Sequence, residues 1–248
     1  MTEIPLFIYP LFFCIAFLYG SAGHGGASGY LAILTLTGLF SPILVPVVLI
    51  LNILVSGIAF FNYSTHGHFR WNLFLPFALS SIPFAFLGGL ISVEATIFFI
   101  MVGAVLFLMG ILVFLKSTLR VNPTILPVKY PVAVLAGAVI GFISGLIGVG
   151  GGIFLSPLIL FLGWGSIAQI AAVSALFVNV NSISGLIGHT VGSEILWLTA
   201  FWLSLPVLAG GFLGSRFGVK TVNPDIIRYI LGVILIIAAI KMIAQYAF

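Results

Sequence analysis

The sequence predicts an all-α polytopic membrane protein of two homologous halves in an inverted-repeat arrangement, each half carrying one glycine-broken or re-entrant helix. Three observations carry this reading. The first is composition: 62% of the 248 residues are hydrophobic and 5% are charged, against roughly 25% charged in a typical soluble domain. Mean hydropathy is +1.37, and 8 basic and 4 acidic side chains are too few to wet a soluble surface. A soluble enzyme, a nucleic-acid binder and a disordered chain are excluded. The second is charge placement. No charge falls between Ile4 and Phe69 or between Tyr130 and Ser193, stretches of about 65 residues each, where about 20 span a bilayer. The third is an internal repeat, described below.

The segments read in order are 4–20, 26–37, 43–61, 72–92 and 95–115 in the first half, and 132–147, 152–162, 167–188, 195–214 and 226–247 in the second. Uncharged turns, Gly38-Leu39-Phe40-Ser41-Pro42 and Gly163-Trp164-Gly165-Ser166, separate segments inside the long charge-free stretches. Segments 26–37 and 152–162 cover only about 16–18 Å as helix, roughly half the hydrocarbon core, so neither spans alone. In lipid every backbone group needs a partner, which makes helices the default and confines irregular backbone to cavities.

The boundaries follow. Residues 1–115 form the first transmembrane repeat, 116–130 a linker and 131–248 the second repeat. The linker holds Lys116, Arg120 and Lys129 with Pro123 and Pro127, and its basic residues place it in the cytoplasm. Counting outward, the loops with Arg70 and with Arg216 and Lys220 fall inside. Those with Glu94 and Glu194 fall outside, as do both termini. Expected localisation is multi-pass in the plasma (inner) membrane. Met1 is followed by an acidic and apolar stretch with no basic region, so no cleaved signal peptide is read. Cys14 reads as a small apolar residue packed inside. His66 and His68 are two ligands without a third and read as a polar loop. Trp71, Trp197 and Trp202 sit near segment starts, as interfacial aromatics do.

Phe17-Leu18-Tyr19-Gly20-Ser21-Ala22-Gly23-His24-Gly25-Gly26-Ala27 aligns with Phe142-Ile143-Ser144-Gly145-Leu146-Ile147-Gly148-Val149-Gly150-Gly151-Gly152 at a constant offset of 125. Ser56-Gly57 parallels Ser184-Gly185. Ser81-Ile82-Pro83 parallels Ser204-Leu205-Pro206, each followed by a Gly-Gly pair, Gly88-Gly89 and Gly210-Gly211. Duplication with inverted insertion is a recurrent transporter plan that puts the binding site near the midplane between repeats. Adjacent glycines break a helix, and the half-helix that restarts presents backbone N–H groups and a positive dipole end to an anion. Glycines in membrane helices also serve plain close packing. Two aligned clusters, each followed by a segment too short to span, favour a site.

The run Gly148-Val149-Gly150-Gly151-Gly152-Ile153-Phe154-Leu155-Ser156-Pro157-Leu158 resembles the glycine-rich signature of the TauE/SafE family of sulfite exporter-like membrane proteins. The first-half copy, Gly23-His24-Gly25-Gly26-Ala27, resembles its degenerate partner. Length, duplicated halves and basic linker agree along nearly the whole chain. The resemblance implies transport, typically export, of a small sulfur-containing anion such as sulfite or an organosulfonate. The first copy has His24 for Val149, Ala27 for Gly152 and Ala32 for Pro157, so the two half-sites are not equivalent.

The expected substrate site lies between the two glycine turns: Gly23, His24, Gly25 and Gly26 against Gly148, Gly150, Gly151 and Gly152. Ser21, Asn52, Asn179 and Asn181 are the side-chain helpers, with Ser28, Ser144, Ser156 and Ser174 nearby. Interhelical hydrogen bonding is the plainer role for the serines. His24 stands between two glycines in an apolar segment. Ionisable residues there are functional candidates, and an imidazole titrating near neutrality suits proton coupling. Its plainer role is a bond to a backbone carbonyl. Arg70, Arg216 and Lys220 read as anchors of the cytoplasmic ends, and they could also draw anions to a vestibule.

The expected function is a secondary transporter of a small anion, with an anion channel or uniporter using the same pore as the alternative. The expected partners are the anion, the lipid bilayer and, through His24, a proton. No cofactor, metal or nucleic acid is expected. An enzyme is not expected: there is no HExxH, no GxSG and no intramembrane aspartate pair, and no P-loop for ATP.

Overall fold

The computed structural model describes residues 4–91, 93–118, 125–191 and 194–220, together with 233, 235–237, 239–241, 243 and 244. The first half runs α1 (Ile8–Ser21), α2 (Ala27–Thr37), a 3-10 turn (Pro42–Leu44), α3 (Val45–Thr65), α4 (Trp71–Leu90) and α5 (Ala95–Thr118). The second runs α6 (Tyr130–Ile147), α7 (Gly152–Phe161), α8 (Ile167–Thr190) and α9 (Trp197–Lys220). Most of the expected segment 226–247 lies outside the described residues, as do Glu3, Arg120 and Asp225; the described residues from 233 onward are helical. No strand occurs among the described residues. Five helices there are long and apolar enough to cross a membrane: Pro42–Thr65, Trp71–Leu90, Tyr130–Ile147, Ile167–Thr190 and Trp197–Val219.

The two short helices stand where the sequence puts them, with 11 residues in α2 and 10 in α7. At about 1.5 Å per residue neither reaches across the hydrocarbon core. Both start on a glycine with left-handed backbone, Gly26 (φ 105°) and Gly151 (φ 80°). The turn at Gly38 (φ 75°) ends α2, and the one at Gly163 (φ 67°) follows α7. Large apolar side chains cover the outside, among them Leu79 at 71% and Leu135 at 69% exposed, as a lipid-solvated surface requires. Cys14 joins them: it is exposed, not packed inside as expected. The buried face of α1 is made by Ile8, Phe12, Ile15, Ala16 and Tyr19, and Cys14 points away from it.

α3 and α8 pack on each other at the centre. The Asn179 amide on α8 donates to the Ile53 carbonyl of α3 at 2.9 Å and to Ser56 Oγ at 3.3 Å. Around this pair the halves interlock: α4 packs on α6 and α8, while α9 packs on α1 and α3. Two glycine ladders set these contacts. Gly137, Gly141 and Gly145 of α6 face the Phe77, Ser81 and Ala85 carbonyls of α4. Gly210, Gly214 and Gly218 of α9 face those of Phe13, Phe17 and Ser21 of α1. A Cβ at any of the six would overlap the facing carbonyl oxygen, so each position needs glycine for the backbones to approach. The Lys241 ammonium donates to the Leu36 carbonyl at 2.8 Å, placing a positive charge at the C-terminal end of α2, where the helix dipole favours it.

Candidate functional site

α1 ends at Ser21, and α2 begins at Ala27; α6 ends at Ile147, and α7 begins at Gly152. Gly23 (φ 73°), Gly148 (φ 82°) and Gly150 (φ 71°) turn the chain through backbone that other residues rarely adopt. Neither Gly26 nor Gly151 has a side chain with which to cap its helix, so the first N–H groups of α2 and α7 depend on partners from elsewhere.

For α2 the partner is Asn52, fully buried on α3. Its Oδ1 accepts from the Ala27 N–H at 3.0 Å, and its Nδ2 donates to Ser182 Oγ of α8 at 2.7 Å. The same amide lies against both glycine turns. A Cβ on Gly25 would overlap Asn52 Oδ1, and one on Gly150 would come within 2.5 Å of Asn52 Nδ2 and 2.6 Å of Ser182 Oγ. Glycine at these two positions is what admits the Asn52 side chain between the halves.

His24 makes the second bridge and is only 7% exposed. Its Nε2 lies 3.2 Å from the Gly152 carbonyl and 2.9 Å from Ser156 Oγ. Ser156 is in turn 2.8 Å from Ser174 Oγ on α8. A carbonyl only accepts, so with its proton on Nε2 the imidazole donates toward Gly152 and Ser156, and the Ser156 hydroxyl passes its own proton toward Ser174. The chain His24–Ser156–Ser174 thus joins the first glycine turn to α7 and α8. On the other side Tyr19 and Ser28 share a hydrogen bond of 2.8 Å, and Tyr30 donates to the Gly25 carbonyl at 3.4 Å.

Between these groups lies a cavity of about 10 Å³, room for about one water molecule. His24, Gly25, Gly26, Asn52 and Gly152 line it, with Tyr19 and Ser28. Among the described residues, none that lines it carries a fixed full charge. The polar surface consists of helix-start backbone, an amide, an imidazole and hydroxyls. The cavity is too small for sulfite: an anion of that size enters only if these groups move apart.

Of the residues expected in the site, His24, Gly25, Gly26, Gly152 and Asn52 meet at the cavity, and Gly150 packs directly on Asn52. Gly23, Gly148 and Gly151 shape the turns from behind, against Ala171, Val45 and Ser144 respectively. Ser21 turns away: its hydroxyl donates to the Leu18 carbonyl at 2.7 Å. Asn179 serves the α3–α8 contact. Asn181 donates within its own helix to the Phe177 carbonyl at 2.8 Å, and its Oδ1 is buried without a hydrogen-bond partner. Ser182, Tyr19 and Val178 take part without having been expected. Ser182 is one residue beyond Asn181 on an apolar helix, a polar signal as plain as the asparagines, but its partner is 130 residues away in sequence.

Two further cavities lie at opposite ends of α3. One, of about 280 Å³, is lined by Pro42, Val45, Leu90, Phe98 and His189 among others. The other, of about 260 Å³, is lined by Asn62, His66, Arg216 and Val219. A thin layer separates each from a glycine turn. Val45 lines the first cavity and also packs on Gly148. Val219 lines the second and packs on a cluster of Tyr63, Ala171 and Ala172. Ala171 in turn backs Gly23.

The sequence has relatives along nearly its whole length. The model of the family described as "Sulfite exporter TauE/SafE" matches residues 8–242. "Probable membrane transporter protein y4hK" of Sinorhizobium fredii is 36% identical over 237 residues, 94% of this chain and 95% of that protein. "Probable membrane transporter protein MJ0441" of Methanocaldococcus jannaschii is 22% identical over 261 residues, 96% of each chain. "Probable membrane transporter protein YfcA" of Escherichia coli is 30% identical over 110 residues, 44% of this chain and 39% of that one. No solved structure matches the chain.

Proposed function

The chain belongs to the TauE/SafE sulfite exporter family of membrane transporters, and from that premise we propose that it is a secondary transporter of a small sulfur oxyanion or organosulfonate, bound between the glycine turns. The protein is a multi-pass membrane protein and a transporter, not an enzyme. The observation that carries the substrate site is the meeting of two helix starts, one from each half, around a small cavity lined by Asn52 and His24. One helix start stabilises an anion by about 0.3–1 kcal/mol when exposed and up to about 2 when partly buried. Two such ends and a few hydroxyls give modest affinity, which suits a substrate that must leave again. A fixed Lys or Arg at the centre would hold it longer.

The halves insert with opposite orientation in this reading, in the plasma membrane, with the Arg70 and Arg216 end of α3 in the cytoplasm by the excess of basic residues there. Larger cavities at both ends of α3 and a constricted centre fit alternating access better than an open channel. His24, through Ser156, is the proton-coupling group.

Flux of sulfite, sulfate, thiosulfate, sulfoacetate, taurine and chloride into proteoliposomes, with and without an imposed proton gradient, tests the proposal. The expected result is saturable, counterflow-competent flux of one sulfur anion that responds to the gradient. Non-saturating flux carried as current would make the protein a channel. No flux of any sulfur anion from folded, reconstituted protein would sink the substrate assignment.

A further inference from the structure

The chain has only 8 Lys and Arg, and one of them lines a cavity on the path to the glycine turns. We propose that the cavity formed by Asn62, His66, Arg216 and Val219 is a second anion site, an antechamber that captures a small sulfur oxyanion or sulfonate before it passes to the centre. The proposal rests on the transport reading for its purpose, but the site itself is read from its own geometry.

The parts are built for an anion. Arg216 lies one helical turn after Phe212 on α9, and its guanidinium carbon sits 4.1 Å over the Phe212 ring. Stacking on an aromatic face pre-sets the plane of the guanidinium and leaves its N–H edge for a second partner. Among the described residues no hydrogen bond or carboxylate engages that edge. A planar fork of donors matches two oxygens of a sulfite or sulfonate. His66 closes α3. Its Nδ1 is 2.7 Å from the Asn62 carbonyl, which only accepts, so the proton resides on Nδ1 and Nε2 is the nitrogen left for a ligand. Nε2 accepts from a hydroxyl oxygen of a protonated oxyanion, and in the imidazolium form it donates to a bare one. The Asn62 amide donates to Ser215 Oγ at 2.6 Å, which ties the two helices of the cavity together. The volume of about 260 Å³ exceeds that of a sulfonate, so the anion enters with part of its water.

Position supplies the purpose. Val219 lines the cavity and packs against Tyr63 and Ala171. The Tyr63 hydroxyl donates to the Ser21 carbonyl at 2.7 Å, at the end of α1, and Ala171 backs Gly23. One layer of side chains therefore separates the antechamber from the first glycine turn. Among the described residues, the lining of the cavity at the opposite end of α3 contains no Lys or Arg. By their described linings the two mouths differ in charge, and the positive potential of Arg216 concentrates an anion at its mouth.

The test reads His66 directly. The four histidines, His24, His66, His68 and His189, are labelled with nitrogen-15 in the full chain purified in detergent, and the ring signals are followed by NMR. The probe is methanesulfonate, which does not titrate near neutral pH, with sodium chloride at matched ionic strength as control. The expected result is a saturable shift of the His66 ring with methanesulfonate. In Arg216→Gln it weakens by about tenfold or more, as loss of a charge-assisted bidentate pair implies. In Asn52→Ala, which disturbs only the central site, it persists. A His66 signal that does not move, or moves equally with chloride, overturns the antechamber. A shift produced by short-chain phosphatidylglycerol and not by methanesulfonate also overturns it, because Arg216 would then be a lipid-headgroup anchor. Flux separates the two readings. A carrier that transports a sulfur anion while His66 is silent loses only the antechamber. A His66 shift in a protein that carries none keeps the site and loses the transport substrate.

Discussion

Removing the amide of Asn52 strips an acceptor from the Ala27 N–H and a donor from Ser182 in one step. A buried polar group left without its partner costs about 1–3 kcal/mol, so Asn52→Ala should lower the Tm and cut flux at least about tenfold. Asn179→Ala removes bonds between the same two long helices, of the kind worth about 0.6 kcal/mol on average, and should leave flux near wild type. Thermal unfolding in detergent and proteoliposome flux on both variants check the contrast. Equal loss in the two would reduce Asn52 to a helix–helix strut. His24 calls for a different readout. His24→Gln keeps a donor near Gly152 but removes the titrating group, so flux should continue and its response to a proton gradient should vanish. A variant that still answers the gradient as wild type does would take proton coupling away from His24. Both residues were visible in the sequence because a polar group between apolar neighbours stands out. The part played by Ser182 was not, because it depends on which residue of the other half, Asn52, folds against it.

At the scale of elements, the two glycine ladders hold the halves together by backbone approach. Gly214→Val should abolish the α1–α9 contact, since even a Cβ there overlaps the Phe17 carbonyl. Its expected signature is a collapse in the yield of monodisperse protein. Gly67→Ala is the control, with no atom within 4 Å of an added Cβ and only a φ of 75° to strain; it should cost about 1–2 kcal/mol and leave the protein extractable. Comparable yields would show that the α1–α9 ladder tolerates side chains. The ends of elements show what hydropathy could and could not convey. α2 and α7 match their expected ranges to within a residue, because positive-φ glycines mark both starts. α3 runs four residues past the expected end at 61. Its polar last turn keeps the helix: Ser64 and Thr65 donate to the Phe61 and Asn62 carbonyls, and Tyr63 reaches α1. α9 likewise runs past 214 to Lys220, because Gly218 still packs on α1. An apolar window stops at the first polar residues, whereas a helix stops where its backbone bonds do. The ladders were legible only as glycines at intervals of four; the partner helix was not, because packing between halves leaves no trace in either segment alone.

For the whole molecule, the decisive property is that the centre is constricted while larger cavities stand at both ends of α3. Asn52 lies between those ends, and the barriers on its two sides involve different residues, Val45 against Gly148 and Val219 with Tyr63 and Ala171 against Gly23. Two separate barriers allow one to open while the other stays closed, which a channel does not need. A cysteine at Ser28, which lines the central cavity, reports the difference once the exposed Cys14 is replaced by serine. A membrane-impermeant thiol reagent should reach it from either side of the membrane, because the resting protein visits both open forms. Val45→Trp, wedged at the Gly148 barrier, should stop labelling from the Glu94 side and preserve or raise it from the Arg70 side. Val219→Trp should do the reverse. Each wedge should also abolish counterflow, since exchange requires both openings, while leaving one-sided protection of the cysteine by substrate. If either wedge blocks labelling from both sides together, the two barriers move as one, and the pore is gated as a channel is.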